Sequence, residues 1–304
     1  MKKKVFLFGL LFSLLLLCGC GVNLTSTVKL NKDFLGTRVM SCTFSSRDFH
    51  TYFNGSKKDL NKLIKESCPD ALTYTSSSSD GNDTYTFYLR FSSLDDYKKK
   101  VRDLLNFSPE ITYEYGDSPF VSGLIYKENF TSKDLMTWLY TALYEGKYID
   151  KDSSSDLWDL KSTEISFLGT TYETKDKINI DEMAYVPLSS IHIDTKTKKS
   201  GKLARVIEFD LPQQTLDQNA GKIRSYFAGN DITWENTSDG KTLCISFDAN
   251  NFSDLAQKTR TVLHSKNSFG TYSSTCSKDN PFTLKINYEE SLDLSQIGRA
   301  SCRE

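Results

Sequence analysis

One stretch of this chain is written twice. At a separation of about 160 residues, Thr37-Arg38-Val39-Met40-Ser41-Cys42-Thr43-Phe44 is matched by Ala204-Arg205-Val206-Ile207-Glu208-Phe209-Asp210-Leu211. The alternation Tyr85, Phe87, Leu89, Phe91 returns as Leu243, Ile245, Phe247, Ala249. Asp117-Ser118-Pro119-Phe120 returns as Asp279-Asn280-Pro281-Phe282, and Leu124, Tyr126, Glu128, Phe130 as Ile286, Tyr288, Glu290, Leu292. Four matched segments in one order constrain the fold more than any motif. A repeat of this length is a whole domain copied, not a solenoid period, and 304 residues is room for two domains.

Periodicity supplies the elements. Val22–Leu30 and Gly36–Phe44 alternate as strands around the polar turn Asn31–Asp33. Helical spacing follows at Phe49, Tyr52 and Phe53, then at Leu60, Leu63 and Ile64, with a break at Gly55. Strands at Leu72–Thr75 and Thr84–Phe91 flank a serine-rich segment, Ser76–Asp83, read as a turn. Leu94, Tyr97, Val101, Leu104 and Leu105 form one helical stripe, opened by a capping pair, Ser93 with Asp96. Asn251 with Asp254 stands at the same place in the second copy. Strands at Glu110–Tyr115 and Val121–Asn129 complete the unit. The order is ββαββαββ. Strands burying one face, with amphipathic helices to cover it, predict an α+β fold: two repeated modules, each an antiparallel sheet with helices on one side. Between the copies, Thr131 and Asp134 cap a further helix, Asp150–Asp156 is a polar loop, and Glu164–Thr174 reads as a hairpin turning at Leu168-Gly169.

The first twenty residues address the compartment. Met1-Lys2-Lys3-Lys4 precedes an apolar run from Val5 to Leu17, a charged start and short hydrophobic core of export-signal length. The run ends in Leu17-Cys18-Gly19-Cys20, which resembles the lipobox of bacterial lipoproteins. The resemblance implies cleavage before Cys20 and a diacylglyceryl group on its sulfur, with the small Gly19 in front of it. Two acyl chains satisfy the requirement for stable anchoring, since each buried methylene contributes about 0.8 kcal/mol. Losing Lys2, Lys3 and Lys4 takes the net charge from −1 to −4. With charge balanced or mildly acidic, the chain lacks the basic face of a nucleic-acid binder.

The lipobox, the strand–turn–strand a few residues beyond it and the following α+β modules together resemble the LppM-like group of bacterial lipoproteins. They also resemble uncharacterised surface lipoproteins of low-GC Gram-positive bacteria. The first resemblance covers mainly Val22–Phe44. It implies binding of an envelope lipid or glycolipid and carries over no functional residue.

Chemistry is sparse. The motifs of α/β-hydrolases, zincins, P-loops and dinucleotide folds do not occur. His50, His192 and His264 read as surface or cap residues, without a nucleophile or ligand set around them. Asp95/Asp96 suit a helix's first turn, and Glu289/Glu290 point to opposite faces of a strand, so neither is a catalytic dyad. Asp181/Glu182 is the third acidic pair weighed. Cys42 with Cys68 and Cys244 with Cys276 are the natural disulfide pairings in an oxidising compartment, with free thiols the equal alternative. Arg38/Arg205 and Glu128/Glu290 recur in both copies and read as a cross-strand ion pair within each sheet. Sixteen tyrosines offer material for a binding face.

The resulting organisation is a lipoprotein signal peptide over 1–19, an α+β module over 20–130, a helix-and-hairpin insert over 131–188 and a second module over 189–296. The last stretch, 297–304 (IGRASCRE), reads as a non-native tail. The expectation is a non-catalytic lipoprotein on the extracytoplasmic face of the cell membrane. Cys20 is its lipidation site and it carries no cofactor or metal. Its partner is an envelope lipid, glycan or protein. The alternatives are a solute-binding lipoprotein of an importer and an envelope hydrolase.

Overall fold

The computed structural model describes residues 22–47, 53–105, 107–149, 157–265, 269–276, 284–292, 294, 297 and 301–302. These divide into two compact units: unit 1 holds residues up to 113 and 125–181, and unit 2 holds 114–124 and the residues from 182 on.

Unit 1 opens with β1 (Val22–Leu30) and β2 (Gly36–Ser45), paired antiparallel with Val28 opposite Arg38. Asn31 closes the turn between them, its side-chain oxygen accepting from the Asp33 and Leu35 N–H groups. Helix α1 (Lys57–Ser67) starts in a full capping box, Ser56 with Asp59. Strands β3 (Thr73–Ser79) and β4 (Asn82–Phe91) follow, then helix α2 (Leu94–Leu105), β5 (Ile111–Asp117) and β6 (Val121–Glu128). The element order over these residues is ββαββαββ.

The serines expected to form a turn lie in β3 instead. Ser76 to Ser79 pair with β4, and the reversal takes two residues, Asp80 and Gly81, both at positive φ (51° and 75°). That is the backbone a type I′ hairpin needs, and Asp-Gly is its preferred dipeptide. Composition pointed to the serines, whereas the ladder is set by the tight turn beyond them. Leu168-Gly169 (φ 47° and 87°) makes the same kind of turn between β7 (Trp158–Phe167) and β8 (Thr170–Thr174).

The expected insert is divided: 131–181 fall with unit 1 and 182–188 with unit 2. Thr131 and Asp134 form a capping box on a four-residue helix, α3 (Ser132–Leu135), and α4 (Thr137–Glu145) continues after a non-helical Met136. β7 joins β1 in parallel, so the first sheet has six strands in the order β3-β4-β2-β1-β7-β8 and is mixed, not wholly antiparallel. Alternation identifies a strand but not its neighbour, which is why a crossover partner from about 135 residues downstream was not foreseen. Helices meet one face of this sheet: Tyr85 donates to Asn61 of α1 at 2.8 Å, Phe91 packs on Tyr97 of α2 and Phe87 on Trp138 of α4.

Strands β9 (Asn179–Asp181) and β10 (Ala184–Tyr185) pair with β6 in a four-stranded sheet that also holds β5.

Unit 2 contains β11 (Ser190–Thr197), β12 (Leu203–Pro212), helix α5 (Gln213–Tyr226), β13 (Asp231–Asn236), β14 (Gly240–Ala249), helix α6 (Phe252–Val262), β15 (Phe269–Cys276) and β16 (Leu284–Ser291). A short β17 (Ser301–Cys302) pairs in parallel with β11. The main sheet runs β13-β14-β12-β11-β17, and β15 pairs with β16. Its core gathers Ile207, Phe209, Leu243 and Ile245 from the sheet with Ile223, Phe227, Val262 and Leu263 from the helices, plus Phe120 and Ile297. Ile297, the first residue of the stretch read as a tail, is fully buried there.

Candidate functional site

Each unit buries an arginine. Arg38 on β2 and Glu128 on β6 meet at 2.7 Å with 1% and 0% of their side chains exposed. Arg38 Nη1 also donates to the Tyr97 hydroxyl at 2.6 Å, and Nη2 donates to Ser132 Oγ at 2.9 Å. Tyr97 and Tyr126 both donate to Glu128 Oε1, at 2.7 and 2.5 Å. Burial alone disfavours the guanidinium cation, but Glu128 with the two phenols outweighs it and holds the Arg38 pKa above its ordinary value. Burial pushes both phenols upward too. The group is closed to solvent, so it is a structural centre.

Unit 2 has its counterpart. Arg205 Nη1 donates to Glu290 Oε2 and to Thr259 Oγ1, both at 2.6 Å. Its Nε donates to Thr195, the residue opposite it on β11. Val28 holds the matching place opposite Arg38, and Arg38 Nε is left without a partner. The pairs were expected within one sheet. Instead each joins two: β2 and β6, and likewise β12 and β16, belong to different sheets. A repeated pair of residues reveals that they meet, not through which ladder.

The other residues singled out by sequence are dispersed. Asp96 accepts from the Ser92 N–H at 2.9 Å and from Lys100 at 3.0 Å, and the Ser92 bond leads in holding its pKa low. Asp254 does the same with Asn250 and Lys258. Asp181 pairs with Lys127, and Glu289 is exposed while Glu290 is turned to Arg205. His192 is exposed on β11, and His264 ends α6 at φ 50°, its ring against Tyr226. Cys42, Cys68 and Cys244 are free thiols, each with its pKa raised chiefly by burial, a direction that disfavours the thiolate. Cys20, His50 and the second Asp-x-Pro-Phe turn lie outside the described residues, as does the Cys276 side chain. Among the described residues no group of three or more His, Cys, Asp or Glu is placed to hold a metal, and no helix is long and apolar enough to cross a membrane.

Two surfaces of unit 1 remain. A groove of about 640 Å³ lies among α1, α2 and α4, its apolar lining given by Leu63, Leu104, Leu105, Phe107 and Trp138. Its size is that of a small-ligand cleft. The Trp138 indole N–H is buried there without a partner, and Asp134 and Glu145 add acidic lining.

The second surface is the sheet face turned away from the helices. Strand pairing lines it up in three rows: Asn23–Thr43–Thr84–Ser77, Thr25–Ser41–Thr86–Thr75 and Thr27–Val39–Tyr88–Thr73. All twelve are half-buried or exposed, none is charged, and nine carry an aliphatic hydroxyl. Ser41 bonds Thr86 and Thr43 bonds Thr84, each at 3.0 Å. The equivalent rows of unit 2 read Ser190–Asp210–Thr242–Glu235, His192–Glu208–Cys244–Thr233 and Asp194–Val206–Ser246–Asp231, an acidic surface. Sequence reasoning missed this contrast because the face exists only once the strand registers are known. The signal was present in the Thr/Ser positions alternating with apolar ones along β1, β2 and β4.

Compared with known proteins, the chain matches no family model and no curated protein.

Proposed function

We propose that this chain is a lipoprotein held at the extracytoplasmic face of a bacterial membrane by a diacylglyceryl group on Cys20, and that it displays two copies of one ββαββαββ module to bind an envelope component without catalysis. The observation that carries the anchor is the run Val5–Leu17 ending in Leu17-Cys18-Gly19-Cys20 behind three lysines. Support for the duplication comes from the same N-terminal helix constellation at Asp96/Lys100 and Asp254/Lys258, beyond the matched segments, and from the contact that the Arg and Glu of those segments make in each unit. Binding is favoured by the uncharged hydroxyl face of unit 1, a broad open surface with ready hydrogen-bond capacity. A solute-binding importer protein would have parallel sheets in two lobes around a cleft, whereas both units here are built on antiparallel hairpins. A hydrolase reading would require a carboxylate whose single replacement abolishes turnover and leaves the fold intact.

The test is membrane fractionation of Cys20→Ala. The variant is expected in the soluble fraction or retained as uncleaved precursor without acyl label, and a Cys20→Ala protein that still incorporates labelled palmitate would refute the reading.

A further inference from the structure

We propose that the open face of the first sheet is a docking site for a neutral glycan, with Ser41, Thr43, Thr84, Thr86 and Tyr88 at its centre. This rests on the reading of the chain as a binding protein and names the class of ligand.

The two units supply their own control. In both, the outer face of the main sheet is presented by four strands paired in the same way, yet unit 2 fills its rows with five carboxylates and unit 1 fills them with hydroxyls and no charge. The scaffold therefore does not dictate an uncharged face. In a chain with 25% charged residues these twelve adjoining positions carry none, the nearest charges of the same face being Lys29 and Arg90 in the next row and Asp159, Glu164 and Glu173 beyond β1. By strand spacing the patch measures about 14 Å across the strands and about 13 Å along them.

Its chemistry selects the partner. The rows continue beyond β1 onto the carboxylates Asp159, Glu164 and Glu173, and the nearest cation, Arg90, is engaged on Tyr88, so an anionic ligand is disfavoured. Protein-interface cores favour aromatic residues, Met and Arg and are depleted in Ser, whereas this face offers one aromatic and one aliphatic side chain, Tyr88 and Val39. A lipid surface calls for protruding apolar or basic residues, which the rows lack. A neutral sugar chain fits. Each bonded pair, Ser41–Thr86 and Thr43–Thr84, commits one hydroxyl hydrogen and keeps the other free, together with spare acceptor lone pairs. Sugar hydroxyls, which both donate and accept, match that inventory. The pairing also fixes the rotamers, which lowers the ordering cost of binding. Tyr88 adds a phenol hydroxyl at the edge of the patch, its ring lying beneath the Arg90 guanidinium at 5.4 Å.

The experiment is retention of the detergent-solubilised full chain on cellulose, chitin, curdlan and polygalacturonate, compared with Thr86→Lys, Ser41→Lys and, on the opposite unit's face, Thr233→Lys. Thermal melting checks that each variant is folded, and Thr86→Val, which keeps the shape and removes the hydroxyl, serves if a lysine variant is not. The expected result is retention on at least one neutral polysaccharide and not on polygalacturonate, weakened at least tenfold by Thr86→Lys and Ser41→Lys and unchanged by Thr233→Lys. No retention on any neutral polysaccharide, retention unaffected by the face variants, or a face that captures a protein and no glycan would each overturn the proposal. None of these outcomes bears on Cys20, so failure here is separable from failure of the anchor.

Discussion

Arg38 is nearly inaccessible to water, and its guanidinium is met by the Glu128 carboxylate and the hydroxyls of Tyr97 and Ser132. The sequence showed that Arg38 and Glu128 matter because both recur, and the structure adds Tyr126 from the strand of Glu128 and Tyr97, Ser132 and Ser26 from three further elements. Those partners were not legible, since a tyrosine on a helical stripe reads the same whether its hydroxyl is buried or wet. In unit 2 the roles are redistributed: Leu255 stands where Tyr97 does, and Thr259, one turn on in place of Val101, supplies the hydroxyl. Removing one member of a fully buried pair strands the other charge, which typically costs about 3–5 kcal/mol. Arg38→Ala is therefore expected to lower the urea stability of unit 1 by about that amount, and the double variant Arg38→Met/Glu128→Leu by less than the two single changes together. Additive losses would contradict the pairing.

Buried tyrosines, Tyr97 and Tyr126 among them, make the fold sensitive to alkali. Burial raises Tyr85 and Tyr226 to about 12. An unfolded tyrosine ionises near 10, so as pH rises the unfolded chain loses its protons first and gains stability relative to the folded one. The contribution is whole below about pH 10 and fades as pH approaches 12. Urea midpoints measured between pH 9 and pH 12 are expected to fall across that window, more shallowly in Tyr85→Phe; a Tyr85→Phe slope equal to the parent's would contradict the assignment.

At the scale of elements, caps and alternation were the readable part. β1 matches its expected bounds, β2 runs one residue further, and the caps at Thr131 and Asn251 are present as read. What alternation could not supply was partnership: β7 beside β1, and the Arg–Glu pairs spanning two sheets. Asn251 accepts from the Asp254 N–H at 2.9 Å, as Ser93 does from Asp96 at 3.2 Å. Replacing an N-cap by Ala typically costs about 1 kcal/mol. Asn251→Ala and Ser93→Ala are expected to lower stability by similar amounts, each in the unfolding transition of its own unit. A large loss from one and none from the other would weaken the case that the two helices are copies.

For the whole molecule, the fold, the candidate binding face and the proposed anchor rest on different observations. The order of strands and helices follows alternation and helical spacing along the chain, which is why it was legible before any coordinates. The candidate binding face rests on register, because Ser41, Thr86, Thr75 and Thr25 become one row only when four strands are aligned. The proposed anchor rests on the leader residues Val5–Cys20. The most direct measurement is the intact mass of the protein extracted from bacterial membranes, with fragmentation of its N-terminal peptide. The account predicts a chain beginning at Cys20 and carrying a diacylglyceryl group on that sulfur. An unacylated N-terminus, whether at Met1 or at a cleavage point other than Cys20, would contradict it.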